Sequence, residues 1–467
     1  VAVKIALPKG RLLRRTAAML QKAGWDLDDY TSRTSYYRPK SGRFPDLLIR
    51  VFNEKDIPIQ IALGNYDLGV CCLDWIEELL ARYSTSDIIK VRDLGFGKGA
   101  LYAASVAPLE ELRGNGRAVR IASEYPNLAE RFALRRRLGR FSVFPVWGAA
   151  EAYPPENADV ALLAARDAGE LADRGMRSFA RELGYGAWLI ANRAAWESKN
   201  MDAVVGSVCN ILPVEREESP AGEGDVQKIT GVPAVRAGKT AAKVRLALPD
   251  GHQQEQTVTL LNRAGIGIED YPSETNERRP EINVPGVTVK VIRPQDMPLQ
   301  VANGNFDIAV TGRDWLVELR DRFPGAPVTE LLDLTLRKVR IVAVVHNDLP
   351  ADDAAGLRAW AAATPGPLRV ASEYINIADR YARDNLLGHY RVIPTYGASE
   401  AFLPEDADLL IENTETGRTI ARHNLKIIET LFESTAVLVV NTEALADAGR
   451  KPVIEALAAR LQKAVTA

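Results

Sequence analysis

Asp56-Ile-Pro-Ile-Gln-Ile-Ala-Leu-Gly-Asn-Tyr-Asp-Leu-Gly-Val-Cys-Cys-Leu-Asp-Trp75 recurs without a gap as Asp296-Met-Pro-Leu-Gln-Val-Ala-Asn-Gly-Asn-Phe-Asp-Ile-Ala-Val-Thr-Gly-Arg-Asp-Trp315. About half of the positions are identical, and chance identity would be about one in twenty. The match extends in both directions. Upstream, Lys4-Ile-Ala-Leu-Pro-Lys-Gly10 answers to Arg245-Leu-Ala-Leu-Pro-Asp-Gly251. Downstream, Arg120-Ile-Ala-Ser-Glu-Tyr-Pro-Asn127 answers to Arg369-Val-Ala-Ser-Glu-Tyr-Ile-Asn376, and Pro145-x-x-Gly148 to Pro394-x-x-Gly397. A repeat this long exceeds the roughly 20–50 residues of a solenoid unit, so the chain reads as a duplicated domain pair.

Its 467 residues suit two to four domains. The spacing of the repeats predicts a first copy over 1–212, a linker over 213–242 and a second copy over 243–467. The linker stretch, rich in Glu, Gly and Pro, has no apolar periodicity. Short apolar strands at Val3–Leu7, Leu47–Val51, Leu68–Val70, Val119–Ala122 and Leu189–Ala191 alternate with helical patterns such as Leu12 to Ala23, which predicts α/β architecture with largely parallel sheets. The net charge of −2 supplies no general field for nucleic acid or an acidic membrane surface. There is no long apolar run and no signal-peptide pattern at the N-terminus, so a cytoplasmic location is expected. Cys71, Cys72 and Cys209 form neither a disulfide framework nor a zinc spacing, and the four histidines lie far apart, so no structural metal is expected.

The order of motifs then becomes informative. Pro8-Lys9-Gly10-Arg11-Leu12, Arg293-Pro294-Gln295-Asp296-Met297-Pro298, the Gly64-x-x-Asp67 and Gly304-x-x-Asp307 pairs, Asp93-Leu94-Gly95-Phe96-Gly97-Lys98 and Thr416-Gly417-Arg418-Thr419 follow one another along the chain. In this order the chain resembles the short form of ATP phosphoribosyltransferase, written twice. The resemblance implies two tandem copies of a two-lobed unit like the type II periplasmic binding proteins, with ligands between the lobes. It also implies transfer of the phosphoribosyl group of phosphoribosyl pyrophosphate (PRPP) to N1 of ATP, with Mg²⁺, at the first step of histidine biosynthesis. Each copy ends soon after its last helix, which leaves no room for the histidine-sensing domain of the long form. Short-form members usually act with a regulatory partner resembling histidyl-tRNA synthetase.

The copies differ where ligands would bind. Thr414-Glu415-Thr416-Gly417-Arg418-Thr419 follows an apolar strand and precedes a helical stretch, a place where backbone amides can cradle a phosphate. By resemblance it grips the 5′-phosphate of PRPP, and Glu412 addresses the ribose hydroxyls. The first copy has Ala164-Ala-Arg-Asp-Ala-Gly-Glu-Leu171 there, and this reading sets Ala168 and Gly169 against Thr416 and Gly417. It keeps a glycine, lacks the hydroxyls and adds Glu170. The opening loop shows the reverse. Lys9, Gly10 and Arg11 suit a nucleotide or pyrophosphate, whereas Asp250 and His252 replace the two cations in the second copy. Lys98 lies in a glycine turn that only the first copy keeps. Arg33 has its counterpart near Glu274, and Arg293 has its counterpart at Asn53. These two arginines are the catalytic candidates, as guanidinium groups that could stabilise departing pyrophosphate at an oxocarbenium-like transition state.

Asp67, Asp307, Asp74 and Asp314 occur in both copies and read as structural, and Trp75 and Trp315 read as core. Because the intact motifs divide between the copies, one working site is expected per chain. The copies are expected to pair about a pseudo-twofold axis, with basic residues of the first completing the PRPP site of the second and with room for further homo-oligomerisation. The competing readings are an inactive nucleotide-binding or regulatory paralogue, and transfer to a different acceptor.

Overall fold

The structure, a computed structural model, describes residues 2–31, 37–84, 86–106, 118–213, 244–273 and 277–466. Arg33 and nearly all of the expected linker lie outside the described residues.

In the first copy, β1 (Lys4–Lys9), β2 (Leu48–Asn53), β3 (Leu68–Cys72) and β4 (Ile88–Asp93) belong to one lobe. The chain then builds a second lobe from β5 (Gly99–Ser105), β6 (Val119–Ser123), β7 (Phe141–Pro145), β8 (Val160–Ala165) and β9 (Arg177–Tyr185). It returns to the first lobe as β10 (Ala187–Asn192). Strand orders are β2-β1-β3-β10-β4 and β7-β6-β8-β5-β9. The helix Leu13–Lys22 follows β1 and buries Leu13, Thr16, Met19 and Leu20, the spacing of a single helical face.

The second copy repeats this plan with β11 (Val244–Pro249), β12 (Val287–Ile292), β13 (Ile308–Gly312), β14 (Val328–His346), β15 (Leu368–Ser372), β16 (Tyr390–Pro394), β17 (Leu409–Thr414) and β18 (Leu425–Asn441). Here β14 and β18 run unbroken through both lobes and join them into one eight-stranded sheet, β12-β11-β13-β18-β14-β17-β15-β16. The first copy has Gly95, Gly97, Gly99, Gly184 and Gly186 at the crossings; in the second, Thr335-Leu-Arg-Lys-Val339 and Glu433-Ser-Thr435 stand there and the ladder continues with register shifts.

The expectation of largely parallel sheets is corrected: the sheets are mixed. β10 enters antiparallel between β3 and β4, and β18 pairs antiparallel with β13 and β14, because each returning strand re-enters its first sheet from the opposite lobe.

The copies pack head to tail. One continuous core joins the first lobe of copy one to the second lobe of copy two, including Ile49, Phe52, Phe402 and Leu410. A second core joins the second lobe of copy one to the first lobe of copy two, including Ala152, Tyr153, Met297 and Phe306. Polar contacts repeat about the pseudo-twofold. Tyr66 Oη donates to Asp406 at 2.9 Å and Arg50 pairs with Glu405 at one junction. Lys290 pairs with Glu156 at 2.7 Å at the other. Among the described residues no helix is long and apolar enough to cross a membrane.

Asp296 is buried at this second junction and accepts the Trp147 amide at 3.1 Å and the Tyr153 hydroxyl at 3.4 Å. Burial pushes its carboxyl up to about 7, although both donors favour the anion. A carboxyl raised above its unfolded value of about 3.9 costs native stability when it ionises, so this contribution is intact at low pH and is lost as pH rises towards about 7. Asp296→Asn is therefore expected to flatten the fall in stability between about pH 4 and pH 7, and to gain up to a few kcal/mol at pH 8. Denaturant midpoints across that range measure it; parallel curves for parent and variant would contradict it.

Candidate active site

The cleft of the second copy holds a cavity of about 310 Å³. Asp250, His252, Arg293 and Asp314 reach it from the first lobe, Glu373, Tyr374 and Asn413 from the second, and Arg337, Ser434 and Thr435 from the crossing strands. Its walls therefore come from both lobes and from the strands that join them. Trp315 forms part of the wall and packs against Tyr374 with ring centroids 4.6 Å apart, while Tyr374 Oη donates to Asp314 at 2.6 Å. Trp315 is thus buried, as expected of a core residue, and also faces the cavity.

At the end of β17 the loop Thr414–Thr419 turns into the helix Arg418–Arg422. Gly417 has φ +74, a conformation that side chains rarely adopt, and its amide donates to Thr414 Oγ1 at 3.0 Å. The Arg418 amide lies 3.4 Å from Thr416 Oγ1. Thr416, Arg418 and Thr419 are exposed. Glu415 pairs with Arg337, with Nε 2.9 Å from the carboxylate. Behind the loop, Glu412 is raised well above the usual carboxylate range by burial and by Glu373 and Glu400. Glu373 is pushed up to about 7 by burial, Glu400 and Asp314, and Glu400 is raised by burial against the opposing pull of Lys9. Burial and mutual repulsion shift all three carboxyls towards the protonated form, which lessens their repulsion of an anionic ligand.

The equivalent loop of the first copy is closed by its own side chains. Asp167 accepts the Glu170 amide at 2.9 Å, and Glu170 accepts the Arg166 amide at 2.9 Å while pairing with Arg174 at 2.5 Å. Carboxylates here take amides that a phosphate would need. The strands also correct the sequence alignment by one residue. Ser123 Oγ donates to Leu162 O and Ser372 Oγ to Ile411 O, which sets Asp167 against Thr416 and Ala168 against Gly417. Ala168 opens the helix Ala168–Asp173, so the first copy keeps no left-handed glycine at this position.

The remaining candidates fall into two groups. Arg293 lines the cavity of the second copy, with Nη1 3.2 Å from Asp250. Lys9 stands at the boundary: its Nζ donates to Tyr37 Oη at 2.5 Å, Tyr37 stacks on His423 at 4.7 Å, and its charge acts on Glu400. Arg11 instead bridges Glu54 at 3.0 Å and Asp74 at 2.6 Å within the first copy. Burial opposes the Arg11 charge, but these two carboxylates outweigh that effect and bind its proton more tightly than usual. Tyr185 occupies the place of Ser434, and the Arg11 guanidinium lies 5.2 Å from its ring centroid. Gly10 adopts φ +85 at the start of a short helical turn, and Lys98 is exposed on the first-copy crossing.

Asp67 and Asp307 are anchors for the first strand of each copy, accepting the Lys4 and Arg245 amides at 2.9 and 2.7 Å. Asp74 and Asp314 bind the Tyr125 and Tyr374 hydroxyls across the cleft. Sequence reasoning missed Arg337. It stands where the first copy has Gly97 and keeps a left-handed backbone, φ +47, that glycine would favour. The available signal was a basic residue newly placed in a ligand-facing turn, which reads from sequence only as loss of glycine.

The family model described as ATP phosphoribosyltransferase matches residues 53–210 and again 293–463. An ATP phosphoribosyltransferase from Nitratidesulfovibrio vulgaris is 34% identical over 233 residues, 48% of this chain and 73% of that protein. Its counterpart from Pelotomaculum thermopropionicum is 31% identical over 230 residues, 48% of this chain and 74% of that protein. Among solved structures, the ATP phosphoribosyl transferase (HisG:HisZ) complex from Thermotoga maritima is 25% identical, covering 48% of this chain and 98% of that one, with a TM-score of 0.39. With one family model matched twice, over most of the chain's length, the chain belongs to the ATP phosphoribosyltransferase family.

Proposed function

We propose that this chain transfers the phosphoribosyl group of PRPP to N1 of ATP, releasing pyrophosphate, at one working site in the cleft of the second copy. The observation that carries the single-site reading is the contrast between the two loops. Thr414–Thr419 presents a glycine-centred turn that directly follows the cavity residue Asn413 and whose Gly417 and Arg418 amides rest on threonine hydroxyls, whereas the carboxylates of Asp167 and Glu170 take amides of its equivalent.

In this reading the backbone of the Thr414–Thr419 turn and the hydroxyls of Thr416 and Thr419 hold the 5′-phosphate. Glu412 receives the ribose hydroxyls. Arg293 and Arg337 orient the pyrophosphate and stabilise its charge as the bond to C1 of the ribose breaks. Adenine N1 is neutral at pH 7 and attacks without a strong base, so orientation is the principal demand. Among the described residues no group of three or more His, Cys, Asp or Glu side chains is arranged to hold a metal ion. Mg²⁺ enters this reading with PRPP, where it would supply charge neutralisation.

The reading extends to a cytoplasmic setting and to a regulatory subunit resembling histidyl-tRNA synthetase. The test is to incubate the chain with ATP, PRPP and Mg²⁺, alone and with such a subunit, and to follow the absorbance of phosphoribosyl-ATP. Product is expected, and its formation should require PRPP. Absence of product in both incubations would favour an inactive paralogue.

A further inference from the structure

The turn after β7 of the first copy reaches into the second copy beside Arg293. The Trp147 amide donates to Asp296 at 3.1 Å, which pins the turn to the segment that begins at Arg293. Trp147 also packs on Trp315, a wall residue of the second-copy cavity, with ring centroids 5.7 Å apart. Between these contacts the Arg293 side chain lies across Gly148. A Cβ added at Gly148 would stand 2.7 Å from Arg293 Nε, 3.4 Å from Nη2 and 3.5 Å from Cγ. On its other side Arg293 is held by Asp250.

The equivalent glycine of the second copy behaves differently. Gly397 has φ +110 and needs glycine for its backbone, while an added Cβ would meet Asn53 Nδ2 at an ordinary 3.7 Å. Gly148 has no left-handed backbone. Alanine is therefore permitted there by conformation, and what glycine provides is room for the guanidinium of the other copy. The atom in the way is the far end of a flexible side chain, so an added methyl should move Arg293 at little cost in stability.

We propose that Gly148 of the degenerate first copy is a positioning residue for the working site, setting where the Arg293 guanidinium points into the second-copy cavity. This rests on the reading that Arg293 serves the reaction there. It gives the first copy a role in the second copy's site: Asp250 holds the Arg293 guanidinium from one side, and the Gly148 turn bounds it from the other.

The test is a double-mutant cycle on the full chain with Gly148→Ala, Arg293→Ala and both together. Turnover and pyrophosphate affinity by calorimetry are the readouts, and thermal midpoints serve as the check on folding. Gly148→Ala is expected to lower kcat/KM by about 10–100-fold beside the native arginine. It should cost less than about twofold in the Arg293→Ala background, because the clash is gone. A purely structural role would cost the same in both backgrounds, and that result would overturn the proposal, as would an unaffected Gly148→Ala. If Arg293→Ala itself leaves turnover and pyrophosphate affinity intact, the reading of Arg293 fails and the proposal with it. Loss in Arg293→Ala with none in Gly148→Ala defeats the proposal alone.

Discussion

Gly417→Val is expected to raise the PRPP concentration for half-maximal rate by about 100-fold or more, while Ala168→Val in the first copy leaves it within about twofold. Two effects act together at Gly417. Its φ of +74 is a conformation that a β-branched residue adopts only under strain. In addition, a side chain there would keep a phosphate from the backbone amides, and each charge-assisted hydrogen bond lost is worth about 1.5–3 kcal/mol. Two such bonds suffice for the stated factor. Ala168 has no such constraint, because it lies in a helical turn whose neighbouring amides already bond to Asp167 and Glu170. The half-saturating concentration of ATP, measured in parallel, separates a local effect from general unfolding. Equal sensitivity of the two loops would show that the wrong copy has been assigned to PRPP.

The duplication was legible because it needs only identity at matched positions, and Asp56–Trp75 matches Asp296–Trp315 without a gap. The two-lobed plan came through resemblance. The strand pattern alone suggested parallel sheets and missed the antiparallel return of β10 and β18, since an apolar strand such as Leu189–Ala191 does not reveal its direction. The one-residue shift at Gly417 arose because Gly169 offered itself as a partner, whereas the register is fixed by hydrogen bonds such as Ser123 to Leu162 that lie far upstream of the loop. Arg11 illustrates a second limit. A cation after a strand looked available for phosphate, but Glu54 and Asp74, distant in sequence, meet it in the fold. Cross-copy contacts were hidden more deeply. Gly148 is a glycine in both copies, and only the packed structure shows that its methyl-free surface faces Arg293 in one case while backbone conformation explains the other.

Arg337→Gly is expected to lower kcat/KM for PRPP by about 10–100-fold while leaving stability within about 1 kcal/mol of the parent. Arg337 holds φ +47, and a non-glycine residue in this region carries a penalty on the order of 1–2 kcal/mol. Glycine removes that strain but adds freedom to the unfolded chain, and the two effects nearly cancel. The charge is a separate matter. In the structure it pairs with Glu415 of the Thr414–Thr419 loop and faces the cavity, where the proposed reaction would release pyrophosphate. Losing one charge-assisted contact of about 1.5–3 kcal/mol gives the stated fall in rate. Arg337→Ala discriminates between strain and charge. It keeps the unfavourable backbone and loses the guanidinium, so it should match the glycine variant in activity and fall below it in thermal midpoint. Arg337→Lys should recover part of the activity, through charge without the planar fork. If activity instead followed stability across these variants, with glycine active and alanine not, Arg337 would be a hinge residue whose charge has no part in the reaction.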